Sequence, residues 1–423
     1  MIKHNKYIRI LFISLVICFF TTFSGITDVN KPVIINALMP APFADSTKEL
    51  VDDFNKAHRG TAKLIVTRGP RETESVSDMA ISNMLLGSSP FDLLLIDVTW
   101  LPKYAAAGWL YSLDEKFGEE ELSSLVPGSR AGNSYNGSLY RWPLVSDIGL
   151  LYWRKDLMKS PPKTPEELIR ISKDIQSQNL VSNGYVWQGR QYEGLSCVFL
   201  EMLNAYGGVW LDKENNPKLN SIQSQKAAKW LKELIVSGVS PKAVTNFSEN
   251  ETLQVFESGN AAMMRNWPYA WTELQKPSSP VKGIVGVTTM VAEPNQTPTA
   301  TLGSWGLSIL KTSPNKKEAL EAISFLTSES AQKKLFLNNG YTPTKASLFK
   351  DKELNSLSPI LPEIERALEL SKPRPQTALY AQISDVLQRE LSSFLTGQKE
   401  LSEAMDSAQE ITKNILRSAG KIT

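Results

Sequence analysis

Apolar runs alternate with amphipathic stretches along the first hundred residues of the chain. The apolar runs occupy 33–38, 64–66 and 92–97, and helical periodicity separates them at 47–58 and 77–86. The run at 92–97 is continuous between its two aspartates, as in strands that are buried on both faces of a parallel sheet. The alternation therefore predicts a βαβαβ unit within an open α/β sheet.

The rest of the chain continues this alternation. A second α/β unit begins with the apolar stretch at 149–157, and a helix that ends at Gly259 precedes a short strand at 261–264. Further helices are predicted over 165–178, 195–206, 224–236 and, apart from a break at 372–375, over 359–416. With 42% hydrophobic residues, a mature chain of about 400 residues suits two α/β lobes.

The stretch 302–309 predicts a strand that carries an aromatic residue in an unusual setting. Trp305 stands among small residues, which would leave its ring face open to a ligand. A helix should follow, with Ser313 as its N-cap and Pro314 at its first position. The apolar face of that helix comprises Ala319, Ala322, Ile323 and Leu326. The tryptophan is therefore a candidate for stacking on a ligand.

The N-terminus has the pattern of an export signal. Three basic residues precede an apolar stretch at 10–20 that is too short for a membrane span, and small residues precede Gly25. We therefore expect residues 1–24 to be a cleaved signal peptide and the mature chain to be periplasmic or extracytoplasmic. The alternative is a lipid anchor at Cys18, but Ile17 is too bulky for the position before a lipidated cysteine.

The composition of the mature chain narrows its chemistry. Three of the 46 lysines and arginines lie in the signal, so 43 basic residues face 44 acidic ones, which argues against a nucleic-acid partner. The mature chain keeps one histidine, His58, and one cysteine, Cys197. It therefore has too few of these residues for a zinc site built on histidine and cysteine, and a nucleophilic triad would have to use His58. We expect no catalytic residue, metal or cofactor. All ten tryptophans remain, which favours recognition.

Seven segments carry a family resemblance. In chain order they read DLLLIDVTWLPKYAAAGWLYSLD, PLVSDIGLLYWRKDL, VWQGRQYEGL, GNAAMMRNWPYAW, LGSWGLSI, NGYTPT and RPQTALYAQISDVLQ. Together they resemble the extracellular solute-binding proteins of ABC sugar importers, in the maltose/trehalose-binding branch. The resemblance implies the type II periplasmic-binding-protein fold, an α/β protein with two lobes, hinge crossovers and a ligand cleft between the lobes. Lobe 1 would comprise 30–143 and 306–341, and lobe 2 would comprise 148–302 and 347–423.

The resemblance also implies eight ligand-binding residues. Carboxylates accept hydrogen bonds from sugar hydroxyls, guanidinium groups donate them, and aromatic rings cover the C–H faces of a sugar. Gly303 and Ser304 would contribute backbone N–H groups. In the family such residues occupy the positions of Asp97, Asp147, Trp267, Tyr269, Gly303, Ser304, Trp305 and Arg374. Second candidates are Trp187, Gln188 and Glu193. Six further tryptophans are expected to pack, namely Trp100, Trp109, Trp142, Trp153, Trp230 and Trp271.

Each of these assignments has a structural alternative. Asp97 could instead cap a helix that begins near Thr99, and Asp147 could be a solvated loop carboxylate. Two positions also depart from the disaccharide-binding pattern: Val145 replaces a common aromatic residue, and Ser77 replaces an arginine that can reach the ligand. These departures weaken the prediction that the ligand is maltose or trehalose. A smaller glycoside, which would need fewer contacts, is the alternative.

The expected function is therefore transport without chemistry. The protein would bind a disaccharide or small glycoside, such as a sugar-polyol compatible solute, and deliver it as a monomer to an ABC permease and its ATPase. The alternative is a periplasmic carbohydrate-active enzyme in which Asp97 and Asp147 form a carboxylate pair. A binder of another solute, such as a polyamine or peptide, is a third possibility.

Overall fold

A computed structural model describes residues 31–87 and 89–422, so the predicted signal peptide and Cys18 lie outside the described residues. Within them no helix is long and apolar enough to cross a membrane. The strands are β1 (Val33–Met39), β2 (Ala62–Arg68), β3 (Leu93–Asp97), β4 (Ser134–Tyr135), β5 (Ser138–Leu139), β6 (Trp142–Ile148), β7 (Leu150–Arg154), β8 (Asn183–Val186), β9 (Ala261–Asn266), β10 (Val285–Thr288) and β11 (Leu302–Ile309).

The helices surround these strands, and a 3₁₀ helix occupies Lys242–Asn246. They are α1 (Ala41–Ser46), α2 (Lys48–Ala57), α3 (Thr73–Leu85), α4 (Leu101–Ala106), α5 (Glu119–Ser123), α6 (Pro127–Arg130), α7 (Pro165–Ser177), α8 (Glu193–Ala205), α9 (Ile222–Val236), α10 (Glu249–Glu257), α11 (Tyr269–Leu274), α12 (Lys316–Leu326), α13 (Glu329–Asn339), α14 (Ala346–Phe349), α15 (Lys352–Leu357), α16 (Leu361–Glu369), α17 (Tyr380–Thr396) and α18 (Leu401–Ser418).

Lobe 1 is built on a five-stranded sheet in the order β2-β1-β3-β11-β6. Strands β1, β2 and β3 run parallel to one another, and β11 is antiparallel to both of its neighbours. All five residues of β3 are buried, as its continuous apolar pattern predicts. Helices α2, α12 and α13 cover the sheet through a shared apolar core. The predicted βαβαβ unit is therefore confirmed.

Lobe 2 is built on a four-stranded sheet in the order β10-β7-β9-β8. Its core continues into the C-terminal helices, because residues of α16, α17 and α18 join those of α8 and α9 in one buried cluster. Helix α8 is buried along nearly its whole length, and Cys197 lies inside it. The C-terminal region is helical with a break between α16 and α17, as the sequence predicts, and with a second break at 397–400 between α17 and α18, which the sequence prediction lacks.

The lobes are joined by short connections that lie side by side. Strand β6 of the first sheet passes to β7 of the second through Gly149 alone. A Cβ atom at Gly149 would lie 2.0 Å from a carboxylate oxygen of Glu201, which forms a fully buried ion pair with Arg265. Strand β11 begins opposite the end of β6, and the segment after α13 lies beside β6, where Ser146 N–H donates to Thr342.

One local prediction is wrong. Helix α12 begins at Lys316 with Asn315 as its N-cap, two residues later than the cap predicted at Ser313. The Ser313 hydroxyl donates to the carboxylate of Asp92 (2.6 Å) and accepts the Asn315 N–H (3.1 Å), so it secures the turn before the helix. Pro314 consequently precedes the helix. The predicted apolar face of α12 is buried as expected.

Candidate ligand-binding cleft

A cleft of about 740 Å³ lies between the two lobes, within the usual range for small-molecule sites. Elements of both lobes and the first residues of β11 line it. Seven of the eight residues that the resemblance implies lie on its wall, namely Asp97, Asp147, Trp267, Tyr269, Gly303, Trp305 and Arg374. The sequence segments that carry these residues are far apart in the chain, and the fold brings them together.

Asp97 ends β3, and its carboxylate is saturated with hydrogen bonds. One oxygen accepts the backbone N–H (2.8 Å) and the hydroxyl (2.7 Å) of Thr99. The Nη2 atom of Arg374, from lobe 2, donates to both carboxylate oxygens at 2.8 and 2.9 Å. Asp97 therefore secures the turn before α4, the structural alternative considered above, and also pairs with an arginine across the cleft.

Arg374 connects Asp97 to Glu193. Its Nη1 atom donates to Glu193 at 2.8 Å, and the hydroxyls of Tyr380 and Ser384 donate to the same carboxylate. Burial opposes the charge of Arg374, but Asp97 and Glu193 raise the pKa of its guanidinium well above the usual value. Burial raises the pKa of Glu193, although Arg374 partly offsets this effect. The arginine is thus held within the protein, and Glu193, a second candidate, lines the cleft.

Asp147 lies in β6 and has a different environment. One of its oxygens accepts the backbone N–H of Thr342 at 3.1 Å, and no cation forms a salt bridge with it among the described residues. Burial raises the pKa of Asp147 to about 7, although the backbone hydrogen bond from Thr342 opposes this shift. The negative charge of Asp147 contributes to the raised pKa values of Tyr152 and Tyr341. The carboxylate faces the cleft with acceptor capacity to spare.

Trp267 forms an aromatic wall of lobe 2. It follows β9, its ring nitrogen donates to Glu249 at 3.2 Å, and the guanidinium of Arg265 lies 3.9 Å from its ring centre. A Cβ atom at Gly303 would lie 2.8 Å from this ring, so the absence of a side chain there lets the ring rest against β11. The indole is half-buried and its position is fixed from several sides.

Trp305 is more enclosed than its small neighbours predict. Its side chain is only 8% exposed, because Phe43 lies 5.1 Å from it in a tilted arrangement and Trp100 lies 5.3 Å from it edge-on. It also lies within β11 and not on a turn. The expectation of an open ring face is therefore wrong, although the residue touches the cleft. Trp100, expected only to pack, is half-buried and lines the cleft as well.

Two tyrosines complete the aromatic lining. Tyr269 begins α11, and the left-handed Gly340 (φ +73°) approaches it so closely that a Cβ atom would lie 2.9 Å from the Tyr269 Cα. Tyr341 follows and stacks on Phe43 at 4.9 Å. Burial raises the pKa of both phenols well above the usual value, so both stay protonated and can donate hydrogen bonds.

Ser304 is the predicted site residue that does not line the cleft. It is fully buried in the β11 ladder, where its hydroxyl accepts from Arg141 Nη2 (2.8 Å) and donates to the Val145 carbonyl (3.1 Å). Burial lowers the pKa of Arg141 to about 9. The second candidates Trp187 and Gln188 are likewise buried outside the cleft wall.

Sequence reasoning missed part of the lining. Arg190, Tyr192 and Tyr341 lie inside the segments VWQGRQYEGL and NGYTPT, so these motifs could have found them. Glu72 and Glu249 lie outside the quoted segments, and only tertiary structure brings them to the cleft. The missed residues include Phe43, Arg71, Glu72, Trp100, Lys103, Tyr104, Arg190, Tyr192, Glu249 and Tyr341. Within the described ranges no group of three or more metal-binding side chains occurs.

Two α/β lobes joined by short strands around a lined cleft define a binding protein of the periplasmic type. The sequence pattern of bacterial extracellular solute-binding proteins matches residues 40–333, and the chain belongs to this family. It is 34% identical to a probable ABC transporter-binding protein of Deinococcus radiodurans over 367 residues, which cover 83% of this chain and 86% of that protein.

Solved structures agree with this membership. Maltose-bound T. maritima MalE3 superposes with a TM-score of 0.85 at 32% identity and covers 91% of this chain and 100% of its own. An ABC transporter solute-binding protein from Agrobacterium radiobacter K84, in complex with ribitol, gives a TM-score of 0.81 at 25% identity, with 91% and 99% coverage. The family is one of extracellular solute-binding proteins, and the Agrobacterium neighbour is named as such a protein of an ABC transporter.

Proposed function

We propose that the chain binds an uncharged disaccharide or small glycoside in this cleft and delivers it to the permease of an ABC importer. The observation that carries the proposal is an open carboxylate, Asp147, in the same cleft as the half-buried rings of Trp267 and Tyr269. The rings would cover C–H faces of a sugar, and the carboxylate would accept hydrogen bonds from its hydroxyls. Gly303 would bring strand backbone close to the same ligand.

The charge of the cleft disfavours an anionic ligand. Four cationic side chains line it, and nine carboxylates oppose them: Glu72, Glu74, Asp78, Asp97, Asp147, Glu193, Glu249, Glu251 and Asp385. The cation buried deepest, Arg374, is already paired with two of these carboxylates. An anionic sugar would meet like charges, whereas hydroxyl groups would meet acceptors.

Similar proteins support a carbohydrate or polyol. Besides the maltose and ribitol complexes, a mannitol-binding protein of Pseudomonas aeruginosa is 25% identical over 360 residues, covering 78% of this chain. The ligands in these names range from a linear polyol to a disaccharide. The departures at Val145 and Ser77 leave the size of the ligand open, and this range of ligands is consistent with either a polyol or a disaccharide.

The cellular setting follows from the same proposal. The mature chain, beginning near Gly25, would act outside the cytoplasm as a monomer and would dock on a transmembrane permease driven by a cytoplasmic ATPase. A cleaved signal peptide over 1–24 is the favoured form, and a lipid anchor at Cys18 is the alternative. Mass spectrometry of protein isolated from its native host would distinguish the two forms.

We also propose that the protein performs no catalysis. A glycosidase of the carboxylate-pair type needs one carboxylate free to attack or to activate water and another able to donate a proton. Asp97 accepts four hydrogen bonds from Thr99 and Arg374, so its oxygens are occupied. Recovery of intact sugar after hours of incubation supports binding alone, and cleavage that an Asp97→Asn variant loses would contradict it.

A binding screen tests the function itself. Calorimetry of the protein from residue 25 should detect about micromolar binding of at least one of maltose, trehalose, glucosylglycerol, mannitol and ribitol. Maltobionate, an anionic analogue of maltose, serves as the matched negative control, and spermidine tests the polyamine alternative. Binding of spermidine alone, or of maltobionate as tightly as maltose, would contradict an uncharged glycoside.

A further inference from the structure

An ion pair bridges the outer edge of the cleft. Glu72 belongs to lobe 1, immediately before α3, and Arg190 belongs to lobe 2, after β8. The Arg190 Nη2 atom lies 2.9 Å from a Glu72 carboxylate oxygen, and the two side chains are 37% and 53% exposed. By contrast, Asp97 and Arg374 meet across the cleft in a buried setting. The Glu72–Arg190 pair therefore lies towards solvent and connects lobes that must separate for a ligand to enter.

Arg190 is also connected to the aromatic wall of lobe 2. Its guanidinium lies 4.5 Å from the ring centre of Tyr192, and the Tyr192 hydroxyl donates to Glu249 at 2.9 Å. The other oxygen of Glu249 accepts the Trp267 ring N–H at 3.2 Å. A continuous series of contacts thus runs from the lobe 1 residue at the edge of the cleft to the indole against Gly303.

We propose that the Glu72–Arg190 pair is an exposed contact that helps to hold the cleft closed, in addition to the buried Asp97–Arg374 pair, and that it positions Trp267 through Tyr192 and Glu249. This rests on the proposed function of the cleft as a binding site. The pair exists only when the lobes are together, so it slows opening and leaves entry into the open form unchanged. Glu72 and Arg190 are positioning residues, since neither needs to touch the ligand.

The decisive measurement is the dissociation rate. Stopped-flow tryptophan fluorescence should use the tightest-binding of maltose, trehalose, glucosylglycerol, mannitol and ribitol. Glu72→Gln and Arg190→Gln should each raise the dissociation rate about two- to fivefold, the range of exposed ion pairs, with the association rate unchanged. The double variant should add little to either single change. The exchange of charges, Glu72→Arg with Arg190→Glu, should restore most of the slow dissociation.

A matched control uses an exposed ion pair that does not cross the cleft. Arg68 and Asp45 lie 2.8 Å apart within lobe 1 and are 56% and 55% exposed. Arg68→Gln should leave both rates unchanged. Wild-type dissociation should accelerate between 20 and 500 mM NaCl, and Arg190→Gln should lose that acceleration because salt screens exposed charges. Equal effects of Arg68→Gln and Arg190→Gln, or no rescue by the exchange, would overturn the proposal.

The link to Trp267 has its own test. Tyr192→Phe keeps the ring under Arg190 but removes the hydrogen bond to Glu249, so it should shift the Trp267 emission and preserve the salt dependence of dissociation. An unchanged emission spectrum in Tyr192→Phe would overturn the positioning of Trp267.

If none of the five sugars binds, the proposed function fails. Spin labels at Lys63 and Lys229, one on each lobe, then still test closure in the ligand-free protein: Arg190→Gln must lengthen their mean distance relative to Arg68→Gln, and equal distances overturn the closing contact.

Discussion

Asp97 and Asp147 are chemically identical carboxylates on the two strands that flank β11, yet the fold gives them opposite tasks. Asp97 lies opposite Trp305 and is neutralised by Arg374 from the other lobe. Asp147 lies opposite Gly303 and has only the N–H of Thr342 as a donor. Asp97 and Asp147 thus differ in charge compensation, and the uncompensated Asp147 is the one that we propose as an acceptor for ligand hydroxyls.

The largest expected effect comes from removing the cation. Arg374→Ala leaves Asp97 and Glu193 buried without their partner, so the free energy of unfolding should fall by about 3–5 kcal/mol. Urea unfolding measures the change. The same substitution at exposed Arg68 should cost little and serves as the control. Exposed ion pairs contribute at most about 1 kcal/mol. A smaller loss of stability than this would show that Arg374 does not hold Asp97 in place.

The next effect separates the two aspartates directly. Asp147→Ala should weaken sugar binding by about 10- to 100-fold, because a hydrogen bond to a charged group is lost, and should not lower stability at neutral pH, because it removes a carboxyl group whose burial opposes ionisation. Asp97→Ala should reduce stability as well as binding, because Arg374 and Thr99 lose their partner. Calorimetry and urea unfolding of both variants test this. Equal stability losses in the two variants would contradict the comparison.

A pH titration should reveal the uncompensated charge with a smaller effect. Since the pKa of Asp147 is raised to about 7, the folded protein retains a proton that the unfolded chain releases near pH 4. Through this group, the free energy of unfolding falls as pH rises from about 4 to 7. Sugar hydroxyls favour the ionised form, so affinity should rise by up to about tenfold between pH 6 and 8.

Asp147→Asn is the control for that titration, because it keeps the shape of the side chain and cannot ionise. It should flatten the dependence of affinity on pH between 6 and 8. Its stability relative to wild type should improve as pH rises from 4 to 7. A pH dependence that persists unchanged in Asp147→Asn would assign the titration to another group.

The smallest effect concerns the residue opposite Asp147. A Cβ atom at Gly303 would contact the Trp267 ring at 2.8 Å, so Gly303→Ala should displace the ring. Overpacking of this kind costs about 1 kcal/mol, which corresponds to about fivefold weaker binding. Tryptophan emission and calorimetry measure the two consequences. Wild-type emission together with wild-type affinity would show that the ring does not depend on this glycine.

Local patterns predicted most of the fold. The continuous apolar run before Asp97 and the periodic stretches that follow predict β3, α7 and α9 with boundaries close to those observed, and they predict the helical C-terminal region without its break at 397–400. The N-cap of α12 was misplaced because Ser313 has a tertiary partner, Asp92, that lies 221 residues away. Local propensity contains no information about such a partner.

The site was harder to predict because its electrostatics are tertiary. Family motifs located seven residues on the cleft wall, but the pairing of Asp97 with Arg374 spans 277 residues. The covering of Trp305 by Phe43 and Trp100 depends on how α1 and α4 pack. Glu72 carries no motif that marks it as a partner of Arg190. Sequence therefore identified candidates, whereas structure distinguished paired from unpaired charges.

Gly149 has a mechanical consequence for the whole molecule. A single residue separates β6 from β7, and buried Glu201 fills the space where a side chain would extend. A tether of one residue allows little sliding of one sheet past the other, so the soft degree of freedom is a bend about an axis near this residue. A small change in backbone angle there becomes a displacement of many ångströms at the far edge of the lobes. Gly149 and the connections beside it would therefore act as the hinge that controls access to the cleft.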